Sequence, residues 1–127
     1  MIAQNKLHVP ALNKTFTINH SNRNMRRAVK FQLDMLKVGR AEDSDDIEAQ
    51  FKTEADFFDK LIAFPTEILK LTDKQAEKLD DLDGQELQKL DTKIALMIQG
   101  ADADTINDTL KAMDEPAEDT PSKSAAE

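Results

Sequence analysis

A chain of 127 residues, 39% of them hydrophobic and none of them Cys, is sized for one modest core and has neither a disulfide framework nor a thiolate metal site. Its formal charge of -8 is unevenly spread: residues 1–40 hold eight Lys/Arg and one acid, while residues 41–127 hold nine and twenty-four. No apolar run approaches the roughly 20 residues of a membrane span, and MIAQNKLHVP lacks the apolar stretch of a signal peptide, so the expectation is a cytoplasmic protein with no membrane partner.

The segment KLHVPALNKTFTINH alternates apolar and polar residues. Leu7 and Val9 precede a turn near Leu12–Lys14, and Phe16 and Ile18 follow it, which predicts a short hairpin whose first strand ends at Pro10. Ser21 is placed to cap a helix running to about Val38, with Gly39 as its stop. At about 100° per residue, Met25, Ala28, Val29, Leu33, Met35 and Leu36 share one face of an amphipathic, basic helix. Arg23, Arg26, Arg27, Lys30 and Lys37 lie opposite, and Phe31 and Val38 form a smaller apolar strip.

Ser44 or Asp45 is a candidate cap for the next helix, with Glu48 completing a capping box from Asp45. This helix has two apolar stripes. Ile47, Phe51, Ala55, Phe58 and Ile62 make one, and Phe57, Leu61 and Phe64 the other. Together they sweep about 180°, against the roughly 100° that a single core contact requires. Pro65 is expected to break or kink the helix before TEILKL resumes it. Thr72 with Gln75, and Asp83 with Glu86, are capping boxes for two further helices, the second ending at Gly100; Asp102 or Asp104 opens a last one with Ile106, Leu110 and Met113. DEPAEDTPSKSAAE has no large apolar residue and reads as a disordered acidic tail. The expected class is therefore mainly α (α+β): an N-terminal hairpin and about five helices in one domain over residues 1–113, then a flexible tail over 114–127.

Chemistry is sparse. Asp80, Asp81, Asp83 and Gly84 resemble a calcium loop, but the register puts Leu79 and Leu90 where acids are needed. His8 and His20 have no metal-ligand set around them, and neither has a nucleophile to serve. Ser44 lacks the apolar follower of a phosphopantetheine site, since Asp45 stands there. No catalytic residue, metal or cofactor is assigned, and an enzyme is not expected. The basic row Arg23, Arg26, Arg27 and Lys30 suits phosphates in principle, but the chain is acidic and has no Trp or Tyr to stack bases, so nucleic acid is disfavoured. A contact of this row with the acidic surface of a neighbouring subunit is the sharper alternative to a merely solvated face.

The second long helix carries the main functional expectation. If one apolar stripe covers the core, then Phe57, Leu61, Phe64 and Ile68 stay open as a groove for an apolar helix, with Phe51 and Phe58 beside them. An exposed Phe forgoes about 1.5–3 kcal/mol of burial, which binding would recover. On that reading, Phe57→Asp with Phe64→Asp leaves the helices intact and abolishes binding.

The order of elements, from KLHVPALNKTFTINH through SNRNMRRAVKFQLDMLKVG and an acidic helical body to a Pro/Ser/Ala/Glu tail, resembles the tail assembly chaperones of long-tailed bacteriophages. The resemblance implies a non-enzymatic late protein that works in the host cytoplasm and is absent from the mature virion. It implies a partner, the hydrophobic helices of the tape measure protein, and self-association into large oligomers. It further implies that a longer, frameshifted form can extend from the tail. A generic helical interaction adaptor is the alternative from residue chemistry alone.

Overall fold

The structure, a computed structural model, describes residues 5–41 and 45–114. Strands β1 (Lys6–Val9) and β2 (Lys14–Thr17) pair antiparallel, with Leu7 opposite Phe16 and Val9 opposite Lys14. The period of two puts Leu7, Val9 and Phe16 on the buried face. Pro10 opens a 3-10 turn over Pro10–Leu12, and Asn13 takes the left-handed conformation that reverses the chain.

Five helices follow: α1 (Asn22–Ala41), α2 (Ile47–Leu69), α3 (Asp73–Asp80), α4 (Gly84–Ile98) and α5 (Ala103–Asp114). The mainly helical class with an N-terminal hairpin is thus as expected. Most caps are where local chemistry puts them. Ser21 Oγ accepts from the Asn24 N–H at 3.1 Å. Thr72 and Gln75 close a full capping box, and Asp102 Oδ1 accepts from the Thr105 N–H at 2.8 Å. Gly100, at φ 84°, follows the Gln99 cap of α4.

Four boundaries differ from expectation. Helix α1 continues through Gly39, which is not among the positive-φ residues, to Ala41. The cap of α2 is Asp46, whose side chain accepts from the Ala49 N–H at 3.1 Å, one position beyond Asp45; Ser44 lies outside the described residues. Asp83 does cap α4, but through the Gln85 N–H at 2.7 Å, and Glu86 turns to Lys89 instead of closing a box. Finally, α2 passes through Pro65, which is buried in its interior, and ends at Lys70 in the left-handed conformation. Packing around Pro65 outweighs the one hydrogen bond its ring removes. The expected acidic tail falls on residues 115–127, outside the described residues, apart from Asp114 at the end of α5.

The core is one contiguous cluster that takes in both strands and all five helices, with Leu7, Phe31, Leu61, Leu79, Ile94 and Ile106 among its members. Helix α4 is central, packing on α1, α2 and α5. Four polar links tie it to its neighbours: His20 Nδ1 with the Ile98 carbonyl at 3.0 Å, Gln32 with Gln99 at 2.9 Å, Gln85 Nε2 donating to the Met113 carbonyl at 2.9 Å, and Lys89 donating to Asp114 at 2.7 Å.

Candidate functional site

Helices α1 and α2 pack against each other through aromatic rings. The Phe31 ring lies 4.7 Å from that of Phe64 and 5.9 Å from that of Phe57, stacked on both. Two polar contacts pin the same interface: Lys60 Nζ stands 3.2 Å from the buried carboxylate of Asp34, and Arg27 Nε stands 3.5 Å from Glu67. The strip that looked minor in α1, carrying Phe31, therefore faces inward with Asn24, Ala28 and Asp34.

This rotation overturns the expected groove. Phe57, Leu61, Phe64 and Ile68 are all buried, so they form no open groove. What remains between α1 and α2 is two small clefts, one of about 170 Å³ lined by Phe31, Phe64 and the charged pairs and one of about 180 Å³ lined by Val38, Phe57 and Lys60, both smaller than the about 300–1,000 Å³ of ordinary ligand sites. Conversely, Met25, Val29, Leu33 and Leu36, four residues of the larger apolar face, lie exposed along α1. Only Ala28 of that face is buried, and Met35 is half-buried. A single helix cannot turn both strips inward, and the stack on Phe57 and Phe64 decides the choice.

The surplus apolar surface of α2 exists, but on its other stripe. Ile47, Phe51 and Phe58 are 62%, 63% and 61% exposed. Farther along the helix the same stripe reaches Ile62, Pro65 and Leu69, which the body of the protein partly or wholly covers. The first half of α2 is thus the bare end of a stripe whose second half is core. Of the six residues nominated for a partner, the structure leaves Phe51 and Phe58 on the surface. Of the basic row, Arg23, Arg26 and Lys30 are exposed, whereas Arg27 is half-buried, bonding Asn24 and Glu67.

Two apolar rows result: Met25, Val29, Leu33 and Leu36 on α1, and Ile47, Phe51 and Phe58 on α2. Their exposures run from 37% to 64%. They are separate rows: the α2-facing side of α1 carries Arg27, Phe31 and Asp34 and the α1-facing side of α2 carries Phe57, Lys60 and Phe64, so each row points away from the other helix. The rows differ in charge. Helix α1 has six Lys/Arg and one acid, with Arg26 and Arg40 nearest its row; α2 has five acids and two Lys, with Glu48, Glu54 and Asp59 beside its row. The α1 row escaped sequence reading because two apolar strips compete there. The one available signal was Asp34, which lies on the Phe31 side and finds its Lys only in another helix.

A second feature has no counterpart in the sequence reading. Asp91 of α4 is fully buried, and neither carboxylate oxygen, nor Thr92 Oγ1 beside it, has a hydrogen-bond partner among the described residues. Burial pushes the Asp91 carboxyl up to about 9, so it is protonated at neutral pH. It faces the core and not the apolar rows. Among the described residues no helix is long and apolar enough to cross a membrane.

Against known proteins, a family model described as phage tail assembly chaperone proteins, TAC, matches residues 5–114, from the hairpin to the end of α5. No curated protein matches, and no solved structure does.

Proposed function

Because the chain belongs to the phage tail assembly chaperone family and so serves tail assembly, we propose that it binds hydrophobic helical segments of the tape measure protein and keeps them soluble until the tail tube forms. The observation that carries this reading is the pair of exposed apolar rows, Met25, Val29, Leu33 and Leu36 on α1 and Ile47, Phe51 and Phe58 on α2. Water-exposed Phe51 and Phe58 each forgo about 1.5–3 kcal/mol of burial, a loss that an apolar helix laid on them would recover. The net charge of -8 then keeps the complex soluble.

On this reading the protein is not an enzyme; it acts in the host cytoplasm as an assembly factor left out of the virion. Residues 1–113 act as its folded unit. Copies self-associate, so that many weak contacts along a long client add up. Arg23, Arg26 and Lys30 serve those contacts between copies.

The experiment is co-expression with an apolar tape measure segment that is insoluble alone. The wild-type chain holds the segment in the soluble fraction. Phe51→Asp with Phe58→Asp retains the helical circular dichroism and loses the segment to the pellet. Retained solubilisation by that double variant would overturn the assignment of the surface.

A further inference from the structure

We propose that the two exposed rows are separate docking sites sorted by charge, the α1 row taking an apolar helix edged by Asp or Glu and the α2 row one edged by Lys or Arg, so that a single chain holds two client helices at once. The inference rests on the chaperone reading above for the client's identity; the sorting is a property of the surface itself.

The two rows cannot serve one helix. At about 100° per residue, Met25, Val29, Leu33 and Leu36 centre roughly 150° round α1 from Phe31, whose ring is stacked on Phe57 and Phe64. On α2, Ile47, Phe51 and Phe58 centre roughly 160° from Lys60, which reaches across to Asp34 of α1. The helical pair itself therefore stands between the rows. Each row extends about 16 Å along its helix, room for about three turns of a bound helix.

The borders decide which helix fits where. Arg26 and Arg40 stand nearest the α1 row, and the one acid of α1, Asp34, is buried on the other side against Lys60. Glu48, Glu54 and Asp59 border the α2 row; with Lys60 turned to Asp34, Lys52 is the one outward cation of that helix. A helix edged by acids meets bases at the α1 row and like charge at the α2 row, and a helix edged by bases meets the reverse. An anionic membrane also suits a basic apolar helix, but the net charge of -8 opposes that approach. Client segments with opposite edge charges attract each other when free. Held on opposite sides of the α1–α2 pair, they are covered and kept apart.

The test uses two synthetic helical peptides of about 16 residues with the same Leu stripe, one edged by Glu and one by Lys, titrated into the full chain by fluorescence anisotropy. At low salt each binds, and both occupy the same chain together. Leu33→Gln with Leu36→Gln weakens the Glu-edged peptide by about tenfold or more and leaves the Lys-edged one unchanged, whereas Phe51→Gln with Phe58→Gln does the opposite. Arg40→Glu, which keeps the α1 stripe, weakens the Glu-edged peptide about threefold, an effect that fades at about 0.5 M salt. A Lys-edged peptide with Ser in place of Leu measures attraction to the net charge alone and is subtracted. All four apolar positions are exposed, and unchanged circular dichroism checks the fold; Leu36→Gln alone and Phe58→Gln alone serve if a double variant misfolds.

The sorting is overturned if one double variant weakens both peptides, if the peptides compete for a single site, or if edge charge does not decide which row is used. It is also overturned if the Glu-edged peptide binds more weakly as the chain is concentrated, which places a second copy on the α1 row, or if phosphatidylglycerol vesicles and not the peptide occupy that row. Failure of the chaperone reading looks different: the peptides sort as described, yet an apolar tape measure segment co-expressed with the wild type stays in the pellet.

Discussion

Phe31 is the residue on which the orientation of α1 depends, since its ring is stacked on both Phe57 and Phe64 in the core. Truncation to Ala removes a buried aromatic with two aromatic partners and should cost about 3–5 kcal/mol, read as a lower midpoint in urea unfolding. Asp91 acts in the opposite sense. Its carboxyl is raised from 3.8 to about 9, so between those values the native chain holds a proton that the unfolded chain has released. Stability attributable to this group is full below about pH 4 and is lost as pH rises toward 9, a loss on the order of 4 kcal/mol at neutral pH. Asp91→Asn removes the titration while leaving a buried polar group in place. The variant should therefore gain on the wild type as pH rises, by up to about 1.4 kcal/mol per unit between about pH 5 and 8, in paired thermal melts. A stability gap that does not change with pH would contradict the buried neutral acid.

At the scale of elements, the caps carry measurable energy. In the capping box of α3, Thr72 Oγ1 accepts from the Gln75 N–H at 3.2 Å while the Gln75 side chain accepts from the Thr72 N–H at 2.9 Å. Thr72→Ala should cost about 1 kcal/mol by chemical denaturation, with the fold unchanged. This box, the hairpin and the stop at Gly100 were legible in the sequence because each is set by residues within a few positions of one another. The facing of α1 was not legible. Its two apolar strips differ by which neighbour they meet, and that neighbour is an aromatic pair in α2 whose own facing depends in turn on α1. The passage of α2 through Pro65 was hidden for a similar reason: the local rule favours a break, and only the packing of both flanking halves into one core overrides it. The surplus of apolar surface on α2 was readable, since its stripes sweep more of the helix than one core contact uses. Which stripe is surplus was not.

For the whole molecule, the division of roles between the stripes leads to opposite outcomes for two double variants. Phe57→Asp with Phe64→Asp places two charges in the stack with Phe31 and should unfold the chain, against the expectation from sequence that those rings are free. Phe51→Asp with Phe58→Asp adds charge to an exposed stripe and should leave the fold intact. The uneven charge of the chain also has a role at this scale. A basic α1 and an acidic α2 sit side by side in one helical pair, so a helix laid on the α1 row meets a cationic border and one laid on the α2 row an anionic border. The membership of the tail assembly chaperone family is consistent with such a surface.

The client surface is tested most directly by site-specific photocrosslinking, with a photoreactive phenylalanine analogue placed in turn at positions 51, 58 and 64 during co-expression with the tape measure protein. The account predicts crosslinks to the tape measure protein from positions 51 and 58 and none from the buried position 64. Crosslinks from 64 alone, or from none of the three while the segment stays soluble, would contradict it.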